Sequence, residues 1–292
     1  MKYCIIIPAH NEEAFLALTL NSVLTQSLPP KKVIVVNDNS TDETEAIIER
    51  FTAKSALIQK RNTLSSTAHI PGSKVINAFH KGLEILNYDF DFIVKLDADV
   101  ILPENYFEKI ASLFQKYPKA GIVGGFAYEQ EASGEWQLNH PMDKNHVRGA
   151  FKAYSKSCFK AIGGLKNAMG WDTVDELLAR YHGFEILTDD SLKVKHLRPT
   201  GKGYNAKAKL LQGKAMYAMR YGFWITCIAS AKMAWKQRNY QVIIDNLKGF
   251  FGGKKENMAF IVTPQEGRFI RQLRWKNIRS KLLLNGPKIT NR

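Results

Sequence analysis

The chain has 292 residues, 45% of them apolar, enough to bury a sizeable interior. Its three cysteines, Cys4, Cys158 and Cys227, lack a C-x-x-C pair, which excludes a disulfide framework and a four-ligand zinc site and fits a reducing cytoplasm. Residues 1–200 carry 23 Lys+Arg against 24 Asp+Glu, whereas residues 201–292 carry 19 against 3, so the net charge of +15 resides in the last third and implies an anionic partner for it.

Neither a secretory signal nor a membrane span is expected, because the most apolar tract, Phe223 to Trp235, is short and holds Lys232. In chain order, short apolar and β-branched runs predict strands over Tyr3–Ile7, Val33–Val36, Ala56–Ile58, Phe90–Leu96 and Ile122–Phe126. Between them, Leu16, Leu20, Val23 and Leu24 sit at helical spacing. Ser40 and Glu43 read as a capping box before Ala46, Ile47 and Phe51. Val75, Phe79, Leu83 and Leu86 form another stripe, and Pro103 is placed to open a helix carrying Phe107, Ile110 and Phe114. This alternation predicts an α/β fold with a mostly parallel central sheet flanked by helices.

Residues 127–200 are less regular. They contain the turn-rich segments EASGEW and NHPMDKNH, a Gly163-Gly164 pair, a predicted helix from Thr173 to His182 and a predicted strand around Leu192–Leu197. Acidic residues nearly vanish after Thr200-Gly201, which sets an expected boundary between a domain over 1–200 and a mainly helical, basic, aromatic-rich extension over 201–292.

Three predicted strands end abruptly in polar groups, at Pro8-Ala9-His10-Asn11-Glu12, at Asp38 in VNDNSTDET, and at Asp97-Ala98-Asp99. Ligands of open α/β sheets bind outside the carboxyl ends of the strands, where these groups fall. Asp97 and Asp99, two residues apart, repel unless a proton or cation intervenes, and a hard divalent cation such as Mg²⁺ or Mn²⁺ would answer this while sharing substrate phosphates. Each tract alone is equally an ordinary solvated turn; their repetition at three strand ends is what points to a site.

Together PAHNE, NDNSTD and DAD resemble, in order and spacing, the signature of the family 2 inverting glycosyltransferases with the GT-A nucleotide-diphospho-sugar transferase fold, over about residues 3–200. The resemblance implies that Pro8, His10, Glu12 and Asp38 hold the nucleotide's base and ribose. Asp97, Ala98 and Asp99 would meet ribose, metal and diphosphate, with Mn²⁺ or Mg²⁺ as cofactor. Asn37 stands where the family often has Asp, and His10 where Tyr is common. The family's catalytic carboxylate follows a Gly-Gly turn, and by position Asp172 is the first candidate for general base, with Asp175 in reserve and Glu176 third; Trp171 stands where the family has Glu. His196 resembles the family's late histidine at the metal or diphosphate, Lys74 a cation directed at the nucleotide, and Arg198 is a candidate for phosphate or acceptor.

The implied activity is inverting transfer of a sugar from a nucleoside-diphosphate sugar to a hydroxyl acceptor, a glycan or lipid-linked molecule, in surface polysaccharide or glycolipid synthesis. The basic extension has three readings: helices lying on an anionic membrane surface, ordinary packing against the catalytic domain, or nucleic-acid binding, the last disfavoured because no helix-turn-helix, RNP or zinc-finger signature accompanies the charge. Two rivals stay open. A nucleotidyltransferase forming sugar nucleotides shares the architecture but ordinarily opens with a Gly-rich basic loop; the other rival is a non-catalytic basic binding protein with a degenerate transferase domain. Dinucleotide oxidoreductases, P-loop NTPases and serine hydrolases are excluded by their missing motifs.

Overall fold

The computed structural model of the protein describes residues 1–64, 73–131, 133–139, 146–198 and 206–284. The chain divides into two compact units, Met1–Asn167 with Trp171–Lys202, and Ala168–Gly170 with Gly203–Arg292. The expected boundary at Thr200-Gly201 lies outside the described residues, as do Pro71-Gly72 and all of NHPMDKNH except Asn139 and His146.

The first unit begins β1 (Tyr3–Ala9), α1 (Leu16–Leu24), β2 (Lys32–Asp38), α2 (Thr44–Lys54), β3 (Ile58–Thr63), α3 (Ser73–Leu83) and β4 (Phe92–Leu96). It continues β5 (Val100–Ile101), α4 (Tyr106–Lys116), β6 (Ala120–Gln130), β7 (Trp136–Leu138), β8 (Phe151–Ser155), α5 (Lys156–Ala161), α6 (Trp171–Tyr181) and β9 (Glu185–His196). Among the described residues nine strands form one sheet in the order β3-β2-β1-β4-β8-β6-β9-β5, with β7 on β6.

The parallel sheet expected from the strand–helix alternation is realised in β3-β2-β1-β4. Beyond β4 the sheet becomes mixed: β8 runs antiparallel to β4 and β6, β9 parallel to β6, and β5 antiparallel to β9. Every residue of β1 is buried, which explains its continuous apolar run: a strand covered on both faces has no polar side to alternate with. Each fully buried Ile there contributes on the order of 1.5–3 kcal/mol of transfer free energy. Tyr3 stacks on Phe92 with ring centroids 4.8 Å apart and meets Phe107 of α4 at 4.6 Å, so two strands and a helix share one aromatic seam.

Several local expectations are corrected. Ser40 and Glu43 form no capping box: α2 starts at Thr44, and both bond across to the turn after β1, leaving Asp42 at the helix start. Ser40 Oγ accepts the Asn11 N–H at 3.1 Å, Glu13 accepts the Glu43 N–H at 3.0 Å, and Asp42 accepts that of Thr44 at 3.0 Å. Pro103 does not open α4, which begins at Tyr106 after a turn closed by Tyr106 N–H to Pro103 carbonyl. The strand expected at Ala56–Ile58 starts only at Ile58. Gly163 and Gly164 both take positive φ, +68° and +70°, the left-handed geometry that side chains disfavour.

The second unit contains α7 (Ala206–Ala218), α8 (Phe223–Gln237), α9 (Gln241–Lys255) and α10 (Pro264–Leu284). α7 and α9 cross backbone to backbone: a Cβ on Gly213 would lie 1.9 Å from the Asn246 carbonyl oxygen, and one on Gly249 2.0 Å from that of Leu210. Among the described residues no helix is long and apolar enough to cross a membrane.

Candidate active site

The carboxyl ends of β1, β2 and β4 lie side by side, so the three polar tracts are neighbours. Asn11 and Asn39, both at φ +54°, turn the chain just past β1 and β2. The first two turns are pinned together: the Asn11 side chain accepts the Thr41 N–H at 2.8 Å, Thr44 Oγ1 accepts the Glu12 N–H at 2.7 Å, and His10 Nδ1 donates to the Asp38 carbonyl at 2.6 Å. Asp38 is buried at the end of β2, while Pro8 lies beside Val36 one residue before the buried end of β1 at Ala9.

At the end of β4 the D-A-D tract forms a turn rather than continuing the strand. Thr19 of α1 fixes it, donating through Oγ1 to the Ala98 carbonyl at 2.8 Å and accepting the Val100 N–H at 3.1 Å. Pairing of Val100 with His196 across β5 and β9 brings the late histidine beside Asp99. One ligand atom each from Asp97, Asp99 and His196 lies within 4.8 Å of the others, and His196 Nε2 is 3.5 Å from Asp99 Oδ1. Its other nitrogen lies 3.5 Å from Glu129, which orients the ring.

Burial alone would raise Asp99, but the hydrogen bond and charge of His196, with Arg198 and Lys95, outweigh it and hold the carboxyl below its ordinary value. Burial likewise opposes the charged form of His196, and Asp99 overcomes it, leaving the imidazole raised. Two carboxylates and an imidazole this close are a fitting donor set for a divalent cation that takes oxygen and nitrogen.

Arg198 reaches back to the first tract and clamps Glu12 with bonds of 3.0 and 2.6 Å. Lys74 is half-buried in the first turn of α3. Asp172 stands second in α6 on the same rim as Asp97. A Cβ on Gly149 would be 3.3 Å from the Asp172 Cβ, and the next residue, Ala150, accepts the Asp97 N–H at 2.7 Å.

Asp175 and Glu176 stand in the interior. The Asp175 carboxylate is 1% exposed, bonded to Lys152 Nζ at 2.9 and 3.0 Å and to the Tyr154 hydroxyl. Burial pushes it up to about 7 against the pull of Lys152. Glu176 is likewise buried, accepting the Val147 N–H at 2.9 Å and facing His146 and Lys152. The reason is the depth of the helix: Asp172 and Thr173 in the first turn are half-buried, whereas every residue from Val174 to Ala179 is buried.

Sequence reasoning missed Lys95 and Lys152, with side chains 2% and 0% exposed. The available signal was a lysine inside each of two short apolar runs, FIVKL and FKAYS.

Solved structures resemble this fold. A mannosyltransferase from Pyrobaculum calidifontis, in complex with GDP-Man and Mn²⁺, superposes with a TM-score of 0.57 at 16% identity, covering 98% of this chain and 81% of that one. Residues 1–349 of Staphylococcus aureus TarS, in complex with UDP-GlcNAc, superpose with a TM-score of 0.56 at 17% identity, covering 98% and 82%. The fold is therefore that of the GT-A glycosyltransferases. A family profile described as glycosyl transferase family 2 matches residues 4–167, more than half of the chain, and the protein belongs to that family.

Among curated relatives, a poly-β-1,6-N-acetyl-D-glucosamine synthase of Staphylococcus epidermidis is 28% identical over 120 residues, 41% of this chain and 27% of that protein. The poly(ribitol-phosphate) β-N-acetylglucosaminyltransferase TarS of Staphylococcus aureus is 26% identical over 119 residues, 40% of this chain and 19% of that protein. The chain thus matches about a quarter or less of the length of these relatives.

Proposed function

We propose that the protein is an inverting, metal-dependent transferase that moves a sugar from a nucleoside-diphosphate sugar to a hydroxyl of a glycan or lipid-linked acceptor in surface polysaccharide or glycolipid synthesis. The observation that carries the reading is the Asp97, Asp99 and His196 cluster, within 4.8 Å at the rim of a GT-A sheet. These three residues would hold Mn²⁺ or Mg²⁺, and the imidazole nitrogen favours Mn²⁺, the softer of the two. Such a cation neutralises charge that builds on a departing diphosphate. UDP-N-acetylglucosamine is the first donor to test, because two relatives are named for N-acetylglucosamine polymers or transfer.

In this reading Pro8, His10, Glu12 and Asp38 bind base and ribose, Asp97 and Ala98 adjoin the ribose, and Lys74 faces the nucleotide. The Glu12–Arg198 clamp keeps the first turn in place and presents a guanidinium edge to the phosphates. Asp172 accepts the acceptor's hydroxyl proton as the new bond forms on the face opposite the departing diphosphate, which inverts the anomeric centre. Asp175 has no part in proton transfer, because its carboxylate is enclosed with Lys152 and Tyr154.

The second unit serves to bind the acceptor or a membrane surface. Trp224, Trp235 and Tyr240 are 69%, 85% and 84% exposed. A groove of about 520 Å³ along α9 is lined by Ile244, Leu247, Phe251 and Gly252 with Lys248 and Lys255. Exposed indoles beside lysine-rimmed apolar surface suit the interface of an anionic membrane.

A thermal-shift panel of UDP-, GDP- and dTDP-sugars with and without Mn²⁺ tests the donor site, since a ligand of the folded state stabilises it by mass action. The expected result is a metal-dependent shift for one nucleotide. No shift for any of them would overturn the reading.

A further inference from the structure

Lys95 and Lys152 occupy directly opposed positions on β4 and β8, so two ammonium side chains leave the same face of the sheet as a cross-strand pair. Like charges so placed repel, and both side chains are fully buried. An apolar pair would serve a core better, because burying charges costs more desolvation than pairing usually returns. What lies around them accounts for the arrangement. The Trp171 ring takes both cations, with Lys95 Nζ 5.2 Å and Lys152 Nζ 5.9 Å from its centroid. Lys95 then pairs with the Asp97 carboxylate. Lys152 donates to the Asp172 main-chain carbonyl and to Asp175, and lies 3.1 Å from Glu176.

We propose that Lys95, Trp171 and Lys152 are positioning residues, a cation–indole–cation stack that sets Asp172 at a fixed distance from Asp97; this rests on the glycosyl-transfer reading. The stack is continuous from the metal-site carboxylate through Lys95, the indole and Lys152 to the first turn of α6, where Asp172 stands. Without it, α6 would still pack through Val174, Leu177 and Leu178, all buried, but its first turn would lose the anchors that face the site. Displacing a proton acceptor by about 1 Å is enough to lower a rate on the order of 100-fold.

Lys152→Met strands two buried carboxylates and can fail to fold, so the deciding variants are at Trp171. The full chain and its Trp171→Leu and Trp171→Phe variants would be assayed for hydrolysis of UDP-N-acetylglucosamine and GDP-mannose, and for binding of UDP or GDP with Mn²⁺. For Trp171→Leu the expected result is a fall in kcat of about 10- to 100-fold with donor KM and nucleotide affinity unchanged. Trp171→Phe should recover most of it, because an aromatic ring remains within reach of both cations. Undiminished kcat in Trp171→Leu overturns the stack, as does loss of kcat and nucleotide affinity together. A wild-type protein without turnover on any sugar nucleotide sinks the transfer reading, and the stack with it.

Discussion

Arg198 grips both carboxylate oxygens of Glu12 across 186 residues of sequence, Nη1 to Oε1 at 3.0 Å and Nη2 to Oε2 at 2.6 Å, and lays its guanidinium over Phe15 at 5.6 Å. The clamp ties the chain just after β9 to the turn after β1, closing one side of the rim.

Glu12 is raised to about 6, first by burial, then by Asp99 and Asp97, against the hydrogen bond and charge of Arg198. Arg198→Gln should therefore raise it further, a change that a carboxylate titration followed by NMR would read directly. A carboxyl whose folded-state value lies above its ordinary one holds its proton more tightly when folded, so its contribution is full below about 4.3 and is lost as pH rises through about 6. Glu12→Gln should flatten the pH dependence of the metal-free protein's melting temperature in that window. An unchanged profile would show that Glu12 titrates normally.

Asp99→Asn removes one oxygen donor from the Asp97–Asp99–His196 cluster and leaves the apolar core untouched. The metal-dependent part of the nucleotide thermal shift should disappear while the nucleotide-free melting temperature stays near wild type. Turnover should fall more than about 100-fold, since such a cation is worth several kcal/mol to a transition state. Chelation of wild-type enzyme should reproduce the loss and Mn²⁺ restore it. A variant that keeps its Mn²⁺ response would place the cation elsewhere.

Asp172 and Asp175 separate chemistry from architecture. Asp172→Asn should lower turnover by about 10²- to 10⁴-fold with nucleotide affinity and melting temperature preserved, as expected of a proton acceptor at the rim. Asp175→Asn should instead destabilise the fold by about 1–3 kcal/mol, because it removes one of the two buried carboxylates that pair with Lys152 and leaves only Glu176. Denaturant melts and steady-state kinetics on the same two proteins distinguish the outcomes. The reverse pattern would transfer the proton role to Asp175.

The sequence made the parallel half of the sheet legible because its strands are unbroken apolar runs, and such runs occur where both faces are covered. It made the D-x-D turn and His196 legible for a different reason: polar groups stop those strands abruptly, and the family motif preserves their order. It did not reveal β8 or α5, because a lysine interrupts the short apolar run FKAYS, although Lys152 is fully buried. Hydrophobic patterning treats a lysine as solvent-facing, and only the cross-strand register with Lys95 and the carboxylates of α6 give it a reason to be inside. Asp175 was a reserve base for its spacing from Asp172, which was readable; that α6 is enclosed from Val174 onward was not.

The second unit makes the remaining prediction. Attraction of a lysine to an anionic bilayer is worth about 1 kcal/mol near the surface and decays within a Debye length. If the lysine-rimmed groove on α9 and the exposed indoles of α8 meet such a surface, Lys248→Gln with Lys255→Gln should weaken binding to phosphatidylglycerol-containing vesicles roughly 30-fold, the equivalent of about 2 kcal/mol. Trp224→Ala with Trp235→Ala should weaken it by removing interfacial anchors, and this loss, unlike the first, should persist at high salt. Co-sedimentation with vesicles of phosphatidylcholine alone, and of phosphatidylcholine with phosphatidylglycerol, separates the two contributions. Equal binding to both compositions, or no binding to either at low salt, would overturn the membrane assignment and leave the basic face to a soluble anionic acceptor.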